Sequence, residues 1–153
     1  MKYTLLFLAA AILLSSCEED FMKDHEGSFV ADGVSYTADA DNVTAFFASD
    51  STLDVTIGTG QNSTFSASVR VNLNKVGQLV PIMFTNNEGF VYYGENSAVR
   101  YLATFGTYQI TEHEEGNPAT QHTTGIFHYD AINEYDSSDT VHITDGHFYV
   151  NNY

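Results

Sequence analysis

The segment FSASVRVNL, residues 65–73, alternates strictly between apolar and polar side chains. A period of two residues is typical of a β-strand that buries one face and leaves the other face in water. We therefore predict a half-buried strand here and look for the same pattern in the rest of the chain. The apolar members of the segment are Phe65, Ala67, Val69, Val71 and Leu73.

Similar alternation recurs on both sides of this segment, in short runs separated by turn-forming residues. Residues 29–31 and 34–36 flank Asp32-Gly33, a dipeptide that favours a two-residue hairpin turn with positive φ. After position 17 there is no apolar stripe with helical spacing. These patterns predict an all-β domain, an antiparallel β-sandwich or barrel-like sandwich of about 8–10 strands. Further strands are predicted at 43–48, 53–58, 90–93, 99–104 and 107–111.

The C-terminal region predicts a hairpin whose second strand is irregular. Along this second strand the apolar positions change from odd to even numbers between Ile143 and Phe148. Because successive side chains point to opposite faces, one extra residue must lie between these two. We place it in a β-bulge at Asp145-Gly146, since glycine tolerates the left-handed conformation that some bulges need. The predicted core positions of the hairpin are Phe127, Tyr129, Ala131, Val141, Ile143, Phe148 and Val150.

The composition of the chain limits its partners. Among 153 residues there are 20 Asp and Glu but only 5 Lys and Arg, which gives a formal net charge of −15. Such an acidic surface repels DNA and RNA, so we expect no nucleic-acid partner. Hydrophobic residues make up 43% of the chain, too many for a disordered acidic protein. The single cysteine excludes a disulfide framework and any site built from several cysteines.

The N-terminus has the layout of a lipoprotein export signal. Lys2 precedes an apolar run at 4–14, and Leu14-Ser15-Ser16-Cys17 follows directly. The run is shorter than the roughly 20 residues that a membrane-spanning helix needs. The segment resembles the bacterial lipobox, in which the cysteine becomes the lipidated first residue after cleavage. We expect residues 1–16 to be removed as a signal peptide and Cys17 to carry lipid. The alternative is an ordinary secretory signal with a chance cysteine.

The residues after Cys17 set the expected organisation and location of the mature protein. We interpret residues 17–27 as an acidic tether and residues 28–153 as the β-sandwich domain. Glu18-Glu19-Asp20 is similar to the acidic export signals of surface lipoproteins in the Bacteroidetes. This similarity implies an outer-membrane protein that faces the cell exterior and contacts the membrane through its lipid, because two or three acyl chains anchor a protein durably. A merely solvated tether is the alternative interpretation.

Three segments near the C-terminus resemble the closing strands of a family of Bacteroidetes lipoproteins with a β-rich domain of unknown function. They are residues 106–110, 125–129 and 141–150, and they carry the pattern G-x-F followed by V-x-I-T-x-G-x-F-x-V. The resemblance also covers the lipobox and the opening hairpin at 29–36. It implies a lipoprotein with a β fold, and it implies no activity, ligand or catalytic residue.

Six histidines are the first candidates for chemistry, because imidazole binds zinc, copper or nickel when three or four ligands converge. With the bulge in place, His128 and His147 are expected to be outward-facing neighbours across the closing hairpin. They are weak candidates for a metal site, with Asp130 or Asp145 nearby. Their spacing matches no recognised metal motif, so solvent-facing strand residues are the simpler interpretation.

The longest predicted loop, residues 112–124, offers further ligands in His113, Glu115 and His122. These residues also lack the spacing of a recognised metal motif. The chain after Cys17 contains no G-x-S-x-G nucleophile elbow, no S-x-x-K motif and no P-loop. We therefore expect a protein that is not an enzyme and has no catalytic residues and no cofactor.

Two pairs of adjacent aromatic residues, Phe46-Phe47 and Tyr92-Tyr93, should each place one ring in the core and one ring outside. An exposed ring would suit a sugar or a partner protein, whereas packing under a loop is the alternative. Further candidates for such a platform are Tyr101, Tyr149 and Tyr153.

Two tripeptides, Asp50-Ser51-Thr52 and Asp139-Thr140-Val141, resemble the O-glycosylation sequon of the Bacteroidetes. They make Ser51 and Thr140 candidate glycosylation sites. Taken with the export signal, these features favour a lipid-anchored envelope protein that binds a glycan or a protein without catalysis. A structural envelope protein without a ligand site and a metal-dependent enzyme are the alternatives.

Overall fold

A computed structural model describes residues 25–59, 65–83, 89–93, 99–116 and 120–151, with residues 90–93 described by their backbone alone. The described residues form ten β-strands and a short 3-10 helix, Leu73–Lys75, and they contain no α-helix. The strands are β1 (Glu26–Ala31), β2 (Val34–Ala38), β3 (Val43–Ser49), β4 (Thr52–Gly58), β5 (Phe65–Asn72), β6 (Val80–Met83), β7 (Gly89–Tyr93), β8 (Val99–Glu114), β9 (His122–Asn133) and β10 (Thr140–Asn151).

Paired strands are antiparallel throughout, in the order β2-β1-β10-β9-β8-β7-β5-β4-β3. Strand β6 pairs with β8 beyond the end of β7. The strands form two antiparallel sheets, of six and three strands, which pack together as an open β-sandwich and not as a closed barrel. Along the strand order these are β2-β1-β10-β9-β8-β7 and β5-β4-β3, which meet where β7 pairs with β5, and the tenth strand, β6, is attached to β8. The fold class predicted from the alternation is therefore confirmed.

The core lies between the two sheets, and polar groups also join the sheets across it. The Tyr129 hydroxyl of β9 donates a hydrogen bond of 3.1 Å to the backbone carbonyl of Ser68 on β5. His25, directly before β1, is buried, and its two ring nitrogens lie 3.1 Å from the Val43 carbonyl and 2.8 Å from the Asn151 carbonyl. The buried side chains include all the core positions predicted for residues 65–73 and for the closing hairpin.

The opening hairpin forms as its turn residues predict. Ala31 pairs with Val34, and φ is 48° at Asp32 and 82° at Gly33. The turn is also attached to β10, because the Asp32 carboxylate accepts a hydrogen bond of 2.9 Å from the backbone N–H of His142. Asp32-Gly33 therefore fixes both the hairpin and its position beside β10.

Strand boundaries differ from the predictions where polar residues or a proline weaken the pattern. Strand β1 begins at Glu26, two residues before position 28, where we placed the start of the domain. Strand β8 does not break at Gly106, since a bulge between Ala103 and Phe105 lets it continue to Glu114. Strand β6 was not predicted, because its sequence contains Pro81, which is tolerated at the edge of a sheet.

Candidate functional site

The outer face of the larger sheet, which points away from the core, carries the candidate side chains. On β8, Thr107 and Gln109 point outward between buried neighbours, and on β9 Ile126 and His128 do the same. The strand register places Gln109 beside Ile126, and Ile126 beside His147 of β10. Side chains from three adjacent strands therefore meet on this face.

A β-bulge in β10 interrupts the outer face. Ile143 pairs with Tyr129 and Gly146 pairs with Phe127, so three steps along β10 match two along β9. This register confirms the extra residue that the change from odd to even core positions predicts. The left-handed residue is Asp145, with a φ of 50°, and aspartate tolerates this conformation better than most residues.

Gly146 serves the bulge in a different way from the one we expected. A Cβ atom at this position would lie 2.5 Å from the backbone carbonyl oxygen of Phe127 and 2.6 Å from its ring. Glycine is therefore required by the close approach of β9 and not by a left-handed φ. The predicted bulge is confirmed, but its predicted conformational cause was wrong.

Beside the bulge, the outer face opens into a cleft of about 310 Å³, which we call the bulge cleft. Leu79 and Ile126 supply exposed aliphatic surface, with 67% and 45% of these residues accessible to solvent. The volume lies at the lower end of the range for ligand sites. Polar side chains that line the cleft are Thr107, Gln109, His128, Asp145 and His147.

His128 and His147 both line the bulge cleft, but they are not direct cross-strand partners as predicted. His147 pairs with Ile126, whereas His128 pairs with Thr107, whose hydroxyl lies 3.4 Å from its ring nitrogens. The bulge brings His147 to the outer face, but it places His147 opposite Ile126, two residues along β9 from His128. Among the described residues, no three His, Cys, Asp or Glu side chains are grouped as a metal site would require.

Another histidine, His122, lies near the far end of the β8–β9 hairpin. The Nδ1 atom of His122 is 2.8 Å from the backbone carbonyl of Thr120, and Nε2 is 3.4 Å from the Glu112 carboxylate. These contacts, led by the Thr120 carbonyl and supported by Glu112 and Glu114, raise the pKa of His122. The imidazole also stacks on Tyr149 with ring centroids 5.8 Å apart. His122 therefore ties β9 to β8 and β10.

His113 lies on the neighbouring strand and has its own partners. Its Nδ1 atom is 2.8 Å from the Thr123 hydroxyl, and its Nε2 atom is 3.0 Å from the Glu115 carboxylate. The prediction of one long loop at 112–124 was wrong, because β8 extends to Glu114 and β9 begins at His122. Polar residues on both faces of this hairpin hide the alternation that would reveal its strands.

A third imidazole–carboxylate pair lies at the other end of the outer face. The Nδ1 atom of His142 is 2.7 Å from the Asp130 carboxylate, and this hydrogen bond raises the pKa of His142. Both side chains are more than half exposed to solvent. The pair is therefore a surface interaction outside the bulge cleft.

The paired phenylalanines do not divide between core and solvent as predicted. Phe46 and Phe47 are both exposed, at the end of β3 where residues 46–49 are all exposed. Strand β3 is the last strand of its sheet, and this end extends past the buried part of the strand. The sequence could not reveal this exposure, because the prediction assigned one face of the whole strand to the core.

Tyrosines predicted as platforms are partly excluded by their burial. Tyr101 is buried and donates a hydrogen bond of 2.8 Å to the Asp139 carboxylate, so it cannot present its ring to a ligand. Tyr149 is half-buried against His122. Tyr153 and the side chains of Tyr92 and Tyr93 lie outside the described residues.

Exposed apolar residues that the sequence analysis missed lie on β6 and β8, where Phe105 is two residues from Thr107 of the bulge cleft. Phe105 of β8 and Met83 of β6 are register partners, and 71% and 49% of these residues are exposed. We call Leu79, Met83, Phe105 and Ile126 together the apolar patch. Because the predicted strands stopped at 104 and omitted β6, no face could be assigned to Met83 or Phe105. The alternation around Ile82 is the signal that could have revealed β6.

The candidate glycosylation sites lie at the ends of strands. Ser51 lies in the turn between β3 and β4, and its backbone carbonyl accepts a hydrogen bond of 2.8 Å from the N–H of Leu73. Thr140 is the first residue of β10. Both residues are half-buried, so a glycan at either would extend from the side of a turn.

The predicted lipidation site, Cys17, and the predicted signal peptide lie outside the described residues. Within the part of the chain that the structure describes, no helix is both long and apolar enough to cross a membrane. No family model matches this chain, and no curated protein or solved structure matches it.

Proposed function

We propose that this protein is a lipid-anchored lipoprotein of the outer membrane, exposed to the cell exterior, that binds a glycan or a protein without catalysis. The binding role rests on one observation, the bulge cleft with the apolar patch beside it. Exposed apolar surface next to convergent polar groups is typical of an interaction site. The anchor rests on the sequence from Lys2 to Cys17.

The distribution of titratable side chains favours recognition over catalysis. His142 with Asp130 and His122 with Glu112 are the pairs in which a carboxylate helps to raise a histidine pKa. Neither pair lines the bulge cleft. General acid–base catalysis needs such groups within hydrogen-bonding reach of a bound substrate. Neither of these two pairs is therefore placed to act on a ligand bound in the cleft.

The bulge cleft is built on a firm support. Strands β8, β9 and β10 have 16, 12 and 12 residues and are the longest strands described. The hydrogen bond from Tyr129 to Ser68 holds β9 against the opposite sheet. Sites on paired strands keep their geometry better than sites on loops. A preformed surface of this kind loses little entropy when a ligand binds.

A paired-variant experiment tests the binding role. A glycan array and an overlay of separated outer-membrane proteins would be probed with the detergent-solubilised full chain, alongside two variants. Ile126→Asp places a charge in the bulge cleft and should abolish binding. Val34→Asp changes an exposed aliphatic residue on β2 and should leave binding intact. Equal binding by the wild type and Ile126→Asp would show that the cleft is not the site.

A further inference from the structure

We infer that the bulge cleft and the apolar patch form a docking surface for a protein that presents an apolar side chain surrounded by basic residues. This inference rests on the proposed function and selects one of its two ligand classes. It also assigns a role to Met83 and Phe105, which lie outside the cleft itself.

The first argument is the apolar character of the surface. Leu79 and Ile126 line the cleft, and Phe105 beside Met83 extends the exposed apolar surface along β6 and β8. A patch of this kind at a protein interface forms its buried centre, with polar groups at the rim. Sugar sites commonly stack the sugar on an exposed tyrosine or phenylalanine ring, but the two such rings that line this cleft, Tyr108 and Phe127, are buried, and Phe105 lies outside it. The surface therefore favours a protein.

The second argument is the shape of the site. A cleft of about 310 Å³ has room for one large aromatic or aliphatic side chain. Hot spots of protein interfaces are often side chains that fill such a pocket and are surrounded by contacts that exclude water. Thr107, His128 and His147 supply hydrogen-bonding groups around the apolar contact. The partner should therefore insert one anchoring side chain beside Ile126.

The third argument is charge. The chain has a formal net charge of −15, and no lysine or arginine is among the described residues that line the cleft. Asp145 lines the cleft, and Asp130, which also binds His142, is the register partner of Phe105 at the edge of the patch. Acidic residues on a partner would be repelled here, whereas lysine and arginine would be attracted and would speed association. The rim of the partner surface should therefore be basic.

The experiment uses a random dodecapeptide library displayed on phage as its probe. The library is selected on the detergent-solubilised full chain and counter-selected on the Ile126→Asp variant. We expect an enriched sequence with one aromatic or large aliphatic residue flanked by lysine or arginine. The synthetic consensus peptide should bind Ile126→Asp at least about tenfold more weakly than the wild type, the loss expected for a hot spot. Its affinity should fall as the salt concentration rises.

Two further variants keep the experiment independent of folding defects. Leu79→Asp changes a residue that lies before β6 and is 67% exposed, so it should weaken peptide binding without disturbing a strand. Val34→Asp on β2 should bind the peptide like the wild type. A peptide whose basic residues are replaced by glutamate should not bind.

The outcomes separate this inference from the proposed function. Enriched peptides without basic residues, or with equal affinity for Ile126→Asp, would overturn the inference. If no peptide is enriched but neutral glycans bind the wild type and not Ile126→Asp, the protein partner is excluded and the binding role stands. If neither peptides nor glycans depend on Ile126, both the inference and the proposed binding site are wrong.

Discussion

Tyr129→Phe removes a single oxygen atom from the contact between the two sheets. The hydroxyl donates to the Ser68 carbonyl over 3.1 Å, and both residues are buried. Burial raises the pKa of Tyr129, so the hydroxyl keeps its proton at neutral pH. Losing the bond removes about 0.5–1.5 kcal/mol, and leaving a buried acceptor unsatisfied costs about 1–3 kcal/mol.

The expected loss of stability lies toward the low end of these values. Ser68 belongs to β5, which pairs with β4 on one side and with β7 on the other. In a strand with neighbours on both sides, backbone pairing occupies one lone pair of a carbonyl oxygen. The Tyr129→Phe change therefore leaves only the second lone pair of the Ser68 carbonyl without a donor. We therefore expect Tyr129→Phe to lower the free energy of unfolding by about 1–2 kcal/mol.

The assay is urea unfolding at pH 7, followed by far-UV circular dichroism. The urea concentration at the midpoint of unfolding should fall. The slope of the free energy of unfolding against urea concentration should stay constant, because the surface area exposed on unfolding does not change. Tyr135→Phe is the control, since Tyr135 is 84% exposed and its loss should change stability by less than about 0.5 kcal/mol. If Tyr129→Phe matches this control, the hydroxyl does not hold the sheets together.

Three further predictions follow from the bulge, the hairpin and the turns. Gly146→Ala should lower the melting temperature measured by differential scanning fluorimetry. The new Cβ would collide with the Phe127 carbonyl, at a cost of about 1–3 kcal/mol. An unchanged melting temperature would disprove the close approach of the two strands. The raised pKa of His122 should stabilise the fold fully below about pH 6.5 and lose this effect as the pH rises through the raised value; in urea titrations the stability difference between the wild type and His122→Gln should therefore shrink as the pH rises, to the part contributed by stacking on Tyr149, and a difference that does not change with pH would contradict this. Protein isolated from its native envelope should lose glycan mass on Ser51→Ala or Thr140→Ala, whereas identical glycan mass would exclude both sites.

The strands that the sequence predicts well are those with one face against the core. In residues 65–73 and in the closing hairpin every second residue is apolar and buried, except at the bulge. The spacing of the apolar residues therefore reveals both the strands and the bulge. A single change of the apolar positions from odd to even numbers was enough to predict the bulge, because successive side chains of a regular strand must point to opposite faces. The local sequence pattern therefore predicts a strand when burial alone decides which of its residues are apolar.

The bulge cleft could not be predicted in this way. It depends on the register of β8, β9 and β10 and on Leu79, which lies in the segment before β6. His128 and His147 were predicted to face outward, and they do, but their partners depend on which residue of the bulge opposes β9. The polar ends of β8 and β9 pair through their backbones, and no alternation of apolar and polar residues in the sequence indicates this pairing. Long-range register, not local pattern, therefore determines the site.

The proposed function depends most on the attachment of this sandwich to the cell envelope through Cys17. Intact-mass spectrometry of the protein extracted from its native membranes tests this directly. We predict a chain that begins at Cys17 and carries the added mass of a diacylglyceryl group, with or without a further acyl chain. A chain that retains residues 1–16 and carries no acyl mass would contradict the anchor and the proposed location.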